Sequence, residues 1–173
     1  MNLITSAQSP TFSSTVTAGA GGGFPVAGYQ ALDYDNAPTF SGNYEFRLLR
    51  HLSAEVGIEN MLPKQVSFSP HGSYTTRERL TLLPFGLRGV AALAGQRVEL
   101  FAGTGGARLW RTEQGNSYNA TTMFWKVNAG GRVALDHGRR FWVGTTIRFY
   151  RDLGRPTQQW LSLTGDFGFR LGH

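Results

Sequence analysis

Acid–base chemistry in this chain would have to start from its 4 histidines. His51 and His137 fall in segments that read as tight turns, His173 is terminal, and His71 sits in a long polar loop. A general base needs a proton donor within hydrogen-bond reach and an orienting acid behind it. Only His71 has such types nearby, in Ser69, Ser73 and Glu78, and they share no strand that would fix their geometry. No His-x-x-x-His or Asp-x-Asp spacing lies on a shared face. Asp33, Asp35 and Asn36 lack the glycine and distal glutamate of a calcium loop. Gly103-Thr104-Gly105-Gly106 lacks the Lys-Ser/Thr and helix of a phosphate loop, and there is no cysteine. The sequence therefore predicts no catalytic, cofactor or metal residues and no enzyme.

The residues that do form a pattern are charges. Glu45, Arg47, Glu55, Glu59, Arg88, Glu99, Lys126, Arg132, Arg148, Asp166 and Arg170 all occupy alternate positions opposite apolar ones. A period of two is that of a β-strand, whose successive side chains point to opposite faces. The clearest case spans residues 121–172. There Trp125, Val127 and Val133 alternate with Lys126, Asn128 and Arg132. Phe141, Val143 and Ile147 alternate with Trp142, Gly144 and Arg148, and Leu163, Phe167 and Phe169 with Thr164, Asp166 and Arg170.

The same reading gives strands at 12–24, 44–50, 52–61, 79–91 and 97–110, and so eight in total with the three of 121–172. Pro84 inside the fourth predicts a bulge or bend, because proline has no N–H for the ladder. Long loops are expected at 25–43, 62–77, 111–120 and 152–157, and tight turns near 50–52, 92–96 and 136–139. All the long loops then share one end, and all the tight turns and both termini the other. That asymmetry, with long strands apolar on one face only, is the pattern of a membrane barrel. The fold expected is all-β, a single eight-stranded antiparallel up-and-down barrel of transmembrane type. Residues 1–11 are read as a flexible lead-in and 12–173 as the barrel domain.

Composition agrees. No apolar run approaches the ~20 residues of a membrane helix, and hydrophobic residues make up 40% of the chain. The net charge of +6 favours anionic surfaces, but the basic residues are scattered and no nucleic-acid-binding module appears. Aromatic bands are expected at two membrane interfaces. Tyr44, Trp110, Trp125, Tyr150 and Trp160 are assigned to the loop side, and Phe141 and Phe169 to the turn side. The opening M-N-L-I-T-S-A-Q-S-P has no secretory-signal features; either a signal has been removed or truncated, or the chain is not exported.

With these patterns the sequence resembles the eight-stranded bacterial outer-membrane barrels of the OmpA/OmpX and opacity-protein type. Residues 166–173, D-F-G-F-R-L-G-H, are similar to the terminal assembly signal of such barrels at Asp166, Gly168 and Leu171. They depart from it at His173, where Phe or Trp is usual. The resemblance implies a monomer in the outer membrane of a Gram-negative bacterium, with a structural or interaction role in the envelope. Its implied partners are outer-membrane lipid, lipopolysaccharide and the barrel assembly machinery, and no cofactor is implied. Inside a barrel of this size the eleven charges are expected to pair and fill the lumen rather than line an ion path. The basic residues Lys64, Arg77, Arg79, Arg111 and Arg155 are expected at the outer surface, facing lipopolysaccharide phosphates or simply solvent. Two alternatives remain open. One is a soluble lipocalin-like barrel with a small hydrophobic ligand inside; the other is a lipid-A-modifying enzyme using His71.

Overall fold

The protein is described by a computed structural model that covers residues 13–27, 34–69, 72–113, 116–154 and 158–172. The lead-in 1–11, His71, Arg155 and His173 lie outside the described residues. The strands are β1 (Ser14–Ala27), β2 (Ala37–Leu49), β3 (Leu52–Met61), β4 (Lys64–Ser69), β5 (Gly72–Leu93), β6 (Val98–Glu113), β7 (Asn116–Ala134), β8 (Phe141–Asp152) and β9 (Gln159–Leu171). Neighbours pair antiparallel in the order β3-β2-β1-β9-β8-β7-β6-β5-β4, and β3 also pairs with β5. That last pairing closes an eight-stranded up-and-down barrel. β4 stands outside the closed ring, paired with the first residues of β5 from Lys64↔Arg77 to Ser69↔Gly72.

Several expected loops are largely strand. β1 continues to Ala27 and β2 begins at Ala37, so the loop placed at 25–43 shrinks from both sides. The 62–77 loop contains the β4–β5 hairpin, and β6 and β7 extend through most of 111–120. Turn-forming residues misled the reading here, because a strand already paired below can carry Pro, Asn and Gly above the core. β5 has 22 residues, whereas about 9–11 suffice to cross a bilayer at a barrel tilt, so the hairpins stand above the band that such a crossing needs.

The bulge expected at Pro84 is absent. Pro84 pairs in register with Ala107 on β6. On its other side the β3–β5 ladder passes from Val56↔Phe85 to Glu59↔Leu82 without a change of register. The missing donor interrupts the ladder there without shifting its register.

Burial follows the alternation and is inverted relative to a soluble barrel. Glu59 and Lys126 are 0% and 1% exposed, while Val56, Phe167 and Ile147 are 53%, 51% and 49% exposed. A soluble lipocalin-like barrel needs the opposite, apolar residues inside and charges in water.

Inward-facing glycines set the closeness of β5 and β6. A Cβ on Gly105 would strike the backbone carbonyl of Phe85 and approach Gly86 Cα to 2.5 Å; one on Gly103 would strike the carbonyl of Leu87. This seam accounts for Gly103 and Gly105, which back onto the β5 backbone too closely for a side chain, while the outward Gly106 leaves room for the Phe85 ring. Gly105→Val should therefore destabilise the barrel by about 3 kcal/mol or more, as overpacking against backbone cannot relax. Gly165→Ala, whose Cβ would meet its nearest atom at 3.9 Å, should change the urea midpoint little. Equal midpoints for the two variants would refute this account of the seam.

Candidate functional site: the barrel interior and its two rims

Near the tight turns, five strands (β2, β5, β6, β7 and β9) aim carboxylates and guanidiniums at one another. Arg132 lies between two acids: its Nε donates to Glu99 Oε2 at 2.7 Å, and its Nη1 and Nη2 donate to Glu45 at 2.9 and 3.1 Å. Glu45 also accepts from Arg88 at 3.2 Å, and Glu99 from Arg47 and Arg170 at 3.1 and 3.0 Å. Aromatic faces cover the cations: Arg88 lies 4.2 Å from the Phe101 ring centre and Arg170 4.5 Å from that of Trp142. Such stacking suits guanidinium, which is planar and weakly hydrated.

One layer up, Glu55 ties Arg88 to Lys126 through close ion pairs and accepts from Asn128 Nδ2 at 2.7 Å. Above it Glu59 accepts from the Tyr150 hydroxyl at 2.9 Å and faces Arg148 Nε at 3.6 Å. Arg148 donates to Thr164 at 3.0 Å, and Asp166 accepts from Thr164 at 2.8 Å and from Thr146. The structure thus brings ten of the eleven charges into direct ion pairs, while Asp166 joins through hydroxyls. A cavity of about 20 Å³ among Arg88, Arg132, Arg148, Thr17 and Asp166 is the space left beside them, room for about one water.

Toward the loops the interior changes character. Met61, Leu80, Leu82, Ala107, Leu109, Phe124, Tyr150 and Trp160 form a buried apolar cluster that Tyr34 and Ala37 join from the first loop and the start of β2. Tyr34 meets the Trp160 ring edge-on at 5.7 Å and donates to Glu78 at 2.8 Å; Arg111 pairs with Glu78 at 3.0 Å and also donates to the Tyr34 hydroxyl. This apolar plug was not foreseen. Its signal was present in Leu80 and Leu82, which share the inward phase of Arg88.

Two residues assigned to the aromatic girdle belong to this interior instead. Tyr150 and Trp160 are 0% and 2% exposed, because they share the phase of Arg148 and Ser162; residue type outweighed position in the expectation. Tyr44, Trp125, Phe141 and Phe169 do face outward. Trp110 is half-buried, with Arg108 over its ring at 5.0 Å. Tyr44 and Trp125 lie well inside β2 and β7, not at their loop ends. Phe141 sits at the turn end, 5.2 Å from Phe169 and 6.2 Å from Phe167 between ring centres.

Of the terminal motif, Asp166 and Gly168 face inward and Leu171 ends β9 facing out. The surface expectation for Arg111 needs correcting as well, since it pairs inward with Glu78. His51 and His137 lie at tight turns as expected. In the β7–β8 turn, Asp136 accepts backbone N–H bonds from Arg140 and Phe141, each at 2.9 Å. Those donors, Phe141 foremost, hold its carboxyl below the usual aspartate range.

No family model matches the sequence, and no curated protein matches it. Solved structures do. The outer membrane protein OprG of Pseudomonas aeruginosa aligns with a TM-score of 0.74 at 7% identity, over 95% of this chain and 98% of that one. Neisserial surface protein A gives 0.62 at 12% identity, over 91% and 96%. Ail, the attachment invasion locus protein of Yersinia pestis, solved with the heparin analogue sucrose octasulfate, gives 0.63 at 11% identity, over 93% and 99%. The chain therefore has the fold of the eight-stranded outer-membrane β-barrels.

Proposed function

We propose that the protein is a monomeric barrel of the Gram-negative outer membrane that stabilises the envelope and presents its loop end to partners, without catalysing a reaction. The observation that carries this reading is the inverted wall: paired charges inside and a belt of exposed Leu, Ile, Val and Phe outside. Water tolerates no belt of that extent on a monomer, whereas lipid requires one. The filled lumen argues for a static element rather than a pore. Glu78, the acid nearest His71 in sequence, is held inside by Tyr34 and Arg111, which argues against a catalytic trio there. Lipopolysaccharide and the assembly machinery are the partners this reading implies, the latter through the β9 terminus. Ail in complex with a heparin analogue offers a parallel for polyanion contact at such a barrel.

The test is envelope extraction with boiled and unboiled gel samples, run on the wild type and on Ile147→Arg. A membrane barrel needs detergent for extraction and migrates faster unboiled. An arginine at the lipid-facing Ile147 should cost about 2–4 kcal/mol if that site lies near the bilayer midplane. A protein that stays monomeric in plain buffer and tolerates Ile147→Arg would defeat the reading.

A further inference from the structure

Outward-facing charge is confined to part of the wall. Among the described residues, the outward positions of β1, β2, β3, β7 and β9 carry none; Val16, Phe40, Val56, Val133 and Phe167 are typical. The outward cations are Lys64 on β4, Arg77 and Arg79 on β5, Arg108 on β6 and Arg151 on β8, all exposed and toward the loop end. Three of them cluster. Lys64 and Arg77 are direct cross-strand partners, and Arg79 is the next outward residue along β5. Like charges placed directly opposite destabilise a sheet. Among the described residues none of the three has an ion pair.

The surroundings define what would relieve that repulsion. A groove of about 480 Å³ beside Lys64 and Arg77 is lined also by Asp35, Asn36, Pro38, Leu62 and Glu78, so cations and sugar-binding acceptors share one recess. Glu78 is already engaged by Tyr34 and Arg111. Down the same wall Thr81 pairs with Trp110, and Leu83, Phe85 and Leu87 follow, 37%, 47% and 50% exposed. The order from loop to belt is therefore cation, aromatic, apolar, as at a membrane interface. We propose that this β4–β5–β6 sector binds a phosphorylated glycolipid of the outer leaflet. Its phosphate sits at Lys64, Arg77 and Arg79, its sugar in the groove, and its acyl chains along Leu83, Phe85 and Leu87. The proposal rests on the membrane reading above and gives the lipopolysaccharide contact named there a defined place on the wall.

The experiment uses the full chain folded in neutral-lipid nanodiscs, with insertion checked by the unboiled gel band, and titrates diphosphorylated lipid A. Each basic residue near an anionic surface contributes enough that Arg77→Gln with Arg79→Gln should weaken binding roughly thirtyfold. Lys64→Gln alone should weaken it about fivefold. Arg50→Gln with Arg97→Gln, at the opposite rim, should leave affinity unchanged, and dephosphorylated lipid A should bind wild type more weakly than the double variant, which keeps Lys64, binds the probe. Equal losses at both rims, or equal affinity for phosphatidylglycerol, would overturn the site while leaving the membrane barrel intact. Failure to insert at all would overturn both.

Discussion

Glu55→Ala should cost the folded barrel about 3–5 kcal/mol, the range for removing one partner of a buried ion pair. Glu55 is 6% exposed and is the carboxylate that Lys126 and Asn128 both donate to, as well as a partner of Arg88. Its loss leaves Lys126, 1% exposed, with no acid in contact among the described residues, while Arg88 keeps Glu45. Glu55→Gln should be milder, because an amide oxygen still accepts from Lys126 and Asn128 although the charge is gone. Urea unfolding of the protein in detergent micelles, followed by tryptophan fluorescence, measures both. A loss under about 1 kcal/mol for the alanine variant, the scale of a solvated pair, would mean that water enters and solvates the freed cation. The lumen would then be wet rather than packed.

That experiment addresses a property the sequence carried only in part. Phase alone gave the inward set, since Glu45, Glu55, Arg88, Lys126, Arg132 and Arg148 each sit opposite an apolar neighbour in their own strand. Pairing between them was not legible, because it depends on which strands adjoin and with what register. Arg132 meets Glu45 across the lumen, 87 residues away in sequence, a contact fixed by barrel closure and not by spacing. The misplacement of Tyr150 and Trp160 has a different origin. Their phase already placed them inside, and the general preference of aromatic residues for membrane interfaces was allowed to overrule it. The loop ends were misread for a third reason. Gly, Pro and Asn mark turns in isolated segments, but Ala37–Phe40 is held as strand by pairing with β1 from Gly23 to Ala20, which local composition does not reveal.

The plug leads to the second large effect. Phe124 is 1% exposed and packs within the apolar cluster at the loop end, so Phe124→Ala should cost about 3–5 kcal/mol, the usual range for a buried aromatic truncated to alanine. The same substitution separates two barriers to ion flow. The lumen is closed by the apolar cluster toward the loops and by the ion-paired layers toward the turns, and these lie in series. Opening one leaves the other. Wild type and Phe124→Ala should therefore both be silent in planar bilayers, although the variant unfolds at a lower urea concentration. Discrete conductance steps in the variant alone would show that the paired charges pass ions once the apolar seal is removed. Steps in the wild type would show that neither layer seals, and the static role proposed for the barrel would give way to a pore.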